Sequence, residues 1–139
     1  MGYACDCLME CDNNGTNNAA TPVAHPTIAN ATLIGNGGDA QGVRLRAGTQ
    51  VELYNTIITG KGKPLTVETN ETENALKDGT SKLEYVAISG ELSSKQGIYT
   101  NADFAQATGN LTNQEFSWTG KYVGTHCEQT YRTNFNRGR

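Results

Sequence analysis

The chain has 139 residues, enough for one domain with one core. Its low hydrophobic share (36%) and charged share (18%), sixteen glycines and mean hydropathy of −0.55 favour short strands and tight corners over long helices, with disorder as the competing reading. The net charge of −3 with no basic stripe argues against a nucleic-acid partner, and no apolar run approaches the roughly 20 residues of a membrane span.

In chain order, the opening MGYACDCLMECDNN has neither a basic n-region nor an apolar h-region, so it is not a signal peptide; an export signal would lie on a longer parent chain. The spacing of Cys5, Cys7 and Cys11 is not that of paired C-x-x-C zinc knuckles, so no metal is expected. Residues 9–12 read as a first strand, with Met9 and Cys11 inward, and residues 12–24 as a polar loop. Asp12, Asn13 and Asn14 could offer oxygens to Ca2+ but match no calcium repeat. His25 precedes Pro26 at a corner. Strands follow at residues 28–35, 43–46, 53–60, 65–68, 83–90 and 98–101. The glycines of residues 35–42 (GNGGDAQG) lack a following GK[ST] and helix, so they are turn glycines and not a phosphate loop. Residues 69–82 (TNETENALKDGTSK) are the longest insertion, with one helical turn expected at NALK. Past Asn101 the periodicity fades. Residues 102–109 suggest a short helix or irregular wrap, and residues 115–123 (EFSWTGKYV) a last strand pair with Trp118 and Tyr122 as a lid. The division expected is one domain over residues 1–125 and a flexible tail over 126–139.

The strands form two interleaved families. In the first, three segments end at Gly35, Gly60 and Gly90, at steps of 25 and 30 residues, within the range expected of solenoid repeats. Two residues before each glycine stand Leu33, Ile58 and Ile88; four before stand Ala31, Thr56 and Val86. Seven before stand Ile28, Leu53 and Leu83, whose parity is opposite, so the chain must bend between, at Asn30, Asn55 and Tyr85. Stacked asparagines can form a hydrogen-bonded ladder at such a corner, which Tyr85 would break. In the second family the inward pairs are Met9/Cys11, Val43/Leu45, Leu65/Val67 and Ile98/Thr100. Recurrence of the same strand type at every other element argues for coil stacked on coil: an all-β, right-handed parallel β-helix of about three to four coils with an irregular C-terminal segment, in preference to a sandwich or jelly roll. The expected core is Ile28, Leu33, Val43, Leu45, Leu53, Ile58, Leu65, Val67, Leu83, Ile88 and Ile98.

The string ECDNNGTNNAATPVAHPTIANATLIGNG, followed by QGVRLRAGTQVELYNTIITG, resembles the C-terminal part of large secreted or lipid-anchored β-helix proteins of Bacteroidetes. The shared motifs are P-x-I-x-N-x-T-L-I-G, G-x-x-L-R-x-G-T and Y-N-x-I-x-x-G, well matched over residues 9–89, weakly at 121–125 and not in the last dozen residues. The resemblance implies a fold and an exported, cell-surface setting, not a reaction. The family's chains are much longer, so this one reads as a fragment or truncated frame starting at Met1, with an uncapped strand edge at its first coil.

Two outward rows carry the charges: Glu10, Arg44, Thr66 and Tyr99, then Asp12, Arg46, Glu68 and Asn101. Arg44, Arg46, Glu68, Tyr99 and Asn101 form the candidate ligand face, where carboxylates could serve acid–base chemistry on a glycoside and arginines could neutralise a uronate. Their alternating sign favours cross-strand ion pairs, Glu10–Arg44 and Asp12–Arg46–Glu68. Tyr54, Tyr85 and Tyr99 could stack on sugars without sharing a side. Cys11 reads as a core residue, and a Cys11–Cys127 disulfide is a candidate in an oxidising compartment. His126 and Cys127, as sequence neighbours, do not make a nucleophile pair. Four N-x-[ST] matches, at Asn14, Asn30, Asn70 and Asn110, read as accidental. No catalytic residue, cofactor or metal is expected. The functional expectation is a non-catalytic extracytoplasmic module, a surface scaffold, adhesion or carbohydrate-binding element. The alternatives are a polysaccharide lyase or glycoside hydrolase working on the Arg44/Arg46/Glu68 face, and a self-associating structural element.

Overall fold

In a computed structural model, residues 6–38 and 40–117 are described. The strands are β1 (Cys7–Asp12), β2 (Thr27–Ile34), β3 (Gln41–Arg46), β4 (Glu52–Thr59), β5 (Lys63–Val67), β6 (Lys82–Ile88) and β7 (Leu92–Ser94). Helix α1 (Asn70–Asp78) lies between β5 and β6, and α2 (Asn101–Gln106) follows β7. Odd strands form one sheet in the order β1-β3-β5-β7, and even strands form the other, β2-β4-β6. All pairings are parallel. A chain that visits two parallel sheets alternately, always adding the next strand beside the last, winds as a parallel β-helix.

The register follows the repeat. Ile28, Leu53 and Leu83 stack, as do Ala31, Thr56 and Val86, and Leu33, Ile58 and Ile88. Met9, Val43 and Leu65 stack in the other sheet, beside Cys11, Leu45 and Val67. The central rungs are fully enclosed, whereas Met9, Cys11, Ile28 and Leu33 of the first coil are only partly buried. Each fully enclosed Val, Leu or Ile side chain contributes roughly 1.5–3 kcal/mol. The bend expected in the even strands is real: Asn30, Asn55 and Tyr85 have φ of 59°, 45° and 55°. Asparagine tolerates this left-handed conformation better than most residues. Asn55 Nδ2 donates to Asn30 Oδ1 at 2.6 Å, and the ladder ends there because the next rung holds an exposed Tyr85. Gly35 and Gly60 recur for a packing reason: a Cβ on Gly35 would meet the Gly60 carbonyl oxygen at 2.5 Å and Lys61 Cγ at 2.6 Å.

The fourth odd strand is Leu92–Ser94, not residues 98–101 as the sequence suggests. Leu92 sits beside Leu65, and Ser93 takes the place beside Thr66 expected for Tyr99. Ile98 is therefore no core strand residue, and it is only partly buried. Thr100 instead caps α2 through a capping box with Asp103, and Asn101 begins that helix, its Oδ1 accepting from the Leu92 amide at 2.9 Å. Local capping chemistry thus claims a segment whose alternation mimics a strand. Thr66, expected outward, is fully enclosed. The single turn expected at NALK is a nine-residue helix, α1. Residues 102–109 begin with α2, as one of the two readings anticipated.

The last coil is closed by residues 104–114. Phe104 is fully buried. Asn110 acts as a substitute rung: Val86 N–H donates to its Oδ1 at 2.9 Å, and its Nδ2 donates to the carbonyls of Leu83 at 2.7 Å and Phe104 at 3.0 Å. Leu111 pairs with the edge of β6 at Ala87. Residues 115–117 are not strand. Trp118, Tyr122, His126, Cys127 and the tail lie outside the described residues.

Candidate functional site

The outward row of β1 and β3, with Glu68 just after β5, is consumed by ion pairs. Arg44 makes a two-pronged contact with Glu68, Nε to Oε1 at 3.2 Å and Nη2 to Oε2 at 3.1 Å. Its Nη1 lies 3.5 Å from Glu10 and 3.9 Å from Asp6. Arg46 Nε lies 2.7 Å from Glu10 Oε1 and also donates to both oxygens of Asp12, at 3.0 and 3.1 Å. The order is thus Asp12–Arg46–Glu10–Arg44–Glu68. The Glu10–Arg44 and Asp12–Arg46 pairs are as expected, but Glu68 turns to Arg44 and not to Arg46. The hydrogen bonds that Arg44 donates to Glu68 and Arg46 to Asp12 push both guanidinium groups above their ordinary range. Neither arginine projects an uncompensated charge. Tyr99 and Asn101, displaced to the loop and helix after β7, are not part of this row.

Cys11 is a free thiol packed against the core below this row. Burial, then Asp12 and Glu10 beside it, push its pKa up, which disfavours the reactive thiolate. Asn13, the second candidate calcium oxygen, has its amide tied to the carbonyls of Asn18 and Ala20, and Asn14 accepts from Thr16 and Asn17 within its own turn. With Asp12 held by Arg46, these groups stabilise the 12–24 loop. Among the described residues no His/Cys/Asp/Glu group of three or more could hold a metal ion.

Two arrangements escape a reading of the sequence. On the other sheet, Glu52 receives His25 Nε2 at 2.8 Å and the Tyr54 hydroxyl at 2.7 Å. The Tyr54 bond, then the His25 contact, hold the Glu52 carboxyl below its ordinary range, and the same bond to Glu52 pushes Tyr54 up to about 12. His25 is therefore tied to a strand, though its place before Pro26 suggested only a corner.

The second is a cleft of about 380 Å³ between the C-terminal end of α1, the start of β6, and α2. Buried Leu76, Leu83 and Tyr99 form its floor, and Lys77, Lys82, Glu84, Asp103 and Gln106 its polar rim. Lys77 Nζ bonds Asp103 Oδ1 at 2.6 Å; this bond, with those from Thr100, holds Asp103 down to about 2. Tyr99, 6% exposed, is pushed up to about 12 by burial and by nearby Asp103.

What places Tyr99 there is Glu73 of α1, a fully enclosed carboxylate. Its Oε2 accepts from the Ser94 hydroxyl at 2.7 Å and from the amides of Ile98 at 2.8 Å and Tyr99 at 3.1 Å; its Oε1 accepts from Gln96 N–H at 2.8 Å. The helix inserted between two coils thus anchors the loop after β7, forming one wall of the cleft while that loop supplies its floor. Glu73 is a positioning group with every contact satisfied, not a free acid or base.

A family model described as a pectate-lyase-like β-helix domain matches residues 4–134. No curated protein and no solved structure gave a match.

Proposed function

We propose that this chain, which belongs to the pectate-lyase-like β-helix domain family, works as a non-catalytic, extracytoplasmic β-helix module: a surface scaffold or adhesion element. The observation that carries this reading is the closed chain of ion pairs from Asp12 to Glu68. A lyase acting on a uronate needs a cation free to meet the substrate carboxylate, and a glycosidase needs two carboxylates facing a shared space. Here each arginine is held by carboxylates and each carboxylate of the row by an arginine. The exported setting is supported by the resemblance to Bacteroidetes surface proteins. The test is incubation with a panel of neutral and acidic polysaccharides, assayed for new reducing ends and unsaturated uronates. No product is expected; turnover that Arg44→Ala abolishes without unfolding the chain would establish the enzymatic reading instead.

A second reading, self-association, is favoured by the half-open first coil, where Met9, Cys11, Ile28 and Leu33 are less enclosed than the rungs above. Mass measured by light scattering that rises with concentration supports it, and a constant monomer mass rules it out.

A further inference from the structure

We propose that Asn14, in the loop after β1, is a self-modification site: the fold promotes conversion of its side-chain amide to aspartate or isoaspartate through a cyclic imide formed with the Gly15 nitrogen. The chain's other Asn-Gly pair, Asn36–Gly37, is held unreactive by its hydrogen bonds.

The reaction needs only water and hydroxide. Gly15 N–H gives its proton to hydroxide, and the nitrogen attacks Asn14 Cγ, forming a C–N bond and placing negative charge on Oδ1. The bond from Cγ to Nδ2 then breaks, and the nitrogen leaves as ammonia with a proton from water. Water opens the imide at either carbonyl. Net, one water is consumed, one ammonia is released and one carboxylate is gained. Donors already aimed at an oxygen that gains charge in the transition state stabilise it without reorganisation. Asn14 Oδ1 has three: Thr16 N–H at 3.0 Å, the Thr16 hydroxyl at 2.9 Å and Asn17 N–H at 3.0 Å.

The nucleophile and the leaving group are both unrestrained. Gly15 N–H makes no hydrogen bond with the described residues, nor does Asn14 Nδ2, and residues 14–17 are all exposed to water. Asn36 differs on both counts. The amide that would have to attack, Gly37 N–H, donates to the Gly60 carbonyl at 2.7 Å, and Asn36 Oδ1 is fixed to the next coil by Lys61 Nζ at 3.0 Å. Conversion at Asn14 alters the loop that crosses the β3–β4 corner, where Asn14 N–H donates to the Ala47 carbonyl at 3.1 Å. Either product adds a negative charge two residues from Asp12, and isoaspartate also inserts one more carbon into the backbone.

The test is prolonged incubation of the full chain in mildly alkaline buffer, folded and in urea, with the amide-to-acid mass shift located by peptide mapping. In the folded chain Asn14 should convert at least as fast as in urea. Asn36 should convert about fivefold more slowly than in urea, as expected where one hydrogen bond must break first. Thr16→Val removes one donor at an exposed position, so its melting curve should match the parent while folded Asn14 converts about fivefold more slowly and the rate in urea stays unchanged. Gly15→Ala, whose Cβ would meet nothing within 4 Å, should fold as the parent does and slow Asn14 by crowding the attacking nitrogen. The assignment is overturned if folded Asn14 converts more slowly than in urea, if folded Asn36 keeps pace with it, or if either variant leaves the folded rate unchanged.

Discussion

Replacing Glu73 with Gln changes one atom and one charge, and the structure sets the size of the response. The carboxylate accepts four hydrogen bonds in a fully enclosed position. With the Gln carbonyl in the place of Oε2, the bonds from Ser94, Ile98 and Tyr99 survive in neutral form, while the side-chain amide meets the Gln96 N–H donor to donor. Bonds to a charged group contribute about 1.5–3 kcal/mol against about 0.5–1.5 for neutral ones, and an orphaned buried donor costs about 1–3 kcal/mol. Burying a neutral amide in place of a charge recovers part of this. The expected net loss is about 2–4 kcal/mol, read as a lower urea midpoint at neutral pH. The pH dependence has a definite sign. Burial pushes the Glu73 carboxyl up, but the bonds from Ser94, Gln96, Tyr99 and Ile98 together outweigh it and hold it below its ordinary 4.5. A carboxyl depressed in the folded state stabilises above its unfolded value and loses that contribution as pH falls through the folded one. The gap between parent and Glu73→Gln should therefore narrow below about pH 4.5. Equal urea midpoints at pH 7 would refute the claim that this carboxylate anchors the loop after β7.

The other predictions concern separate parts of the stack. Ile58→Asp places a charge at a fully enclosed central rung and should unfold the chain, whereas Arg46→Ala should lower stability by only about 0–1 kcal/mol, as for exposed pairs; circular-dichroism melts compare the two, and reversed effects would shift the inward and outward assignment by one residue. Asn110→Ala leaves the Val86 amide and the carbonyls of Leu83 and Phe104 unpaired; a loss of about 2–4 kcal/mol is expected, with faster hydrogen exchange at Val86. Glycosylation at Asn110 should fail in the folded chain, because its amide is buried and fully engaged. Asp103 should titrate near 2 by NMR, and Lys77→Met should raise that midpoint toward the ordinary 3.8; its stabilising contribution is present above 3.8 and lost as pH falls toward 2.

The coils were legible because stacking repeats its demands. Each rung needs apolar residues at the same two or three places, a residue tolerant of positive φ at the corner and a small residue where backbones approach, and the columns from Ile28 to Ile88 meet them. The fourth odd strand was not, because Leu92–Ser94 offers three residues and one apolar side chain, while residues 98–101 alternate convincingly. What decides between them is the T-x-x-D capping box at Thr100 and Asp103, present in the sequence as a helix-start signal. The pairing of the outward charges was legible up to the choice between neighbours. Glu68 reaches Arg44 because two parallel hydrogen bonds to a planar guanidinium are available there. Glu73 was beyond the sequence. In NETENALKD it looks like one more solvated helical acid, and only the convergence of donors 21 to 26 residues further along makes it a buried acceptor. The cleft follows from Glu73 and α2 together, so missing them meant assigning Tyr99 to the wrong face.

The proposed structural, non-catalytic role of the β3 arginines is tested most directly by prolonged incubation of the chain at high concentration with the polysaccharide panel, beside Arg44→Ala. No reducing ends and no unsaturated uronates are expected from either protein. Product from the parent chain that disappears in a folded Arg44→Ala variant would contradict it.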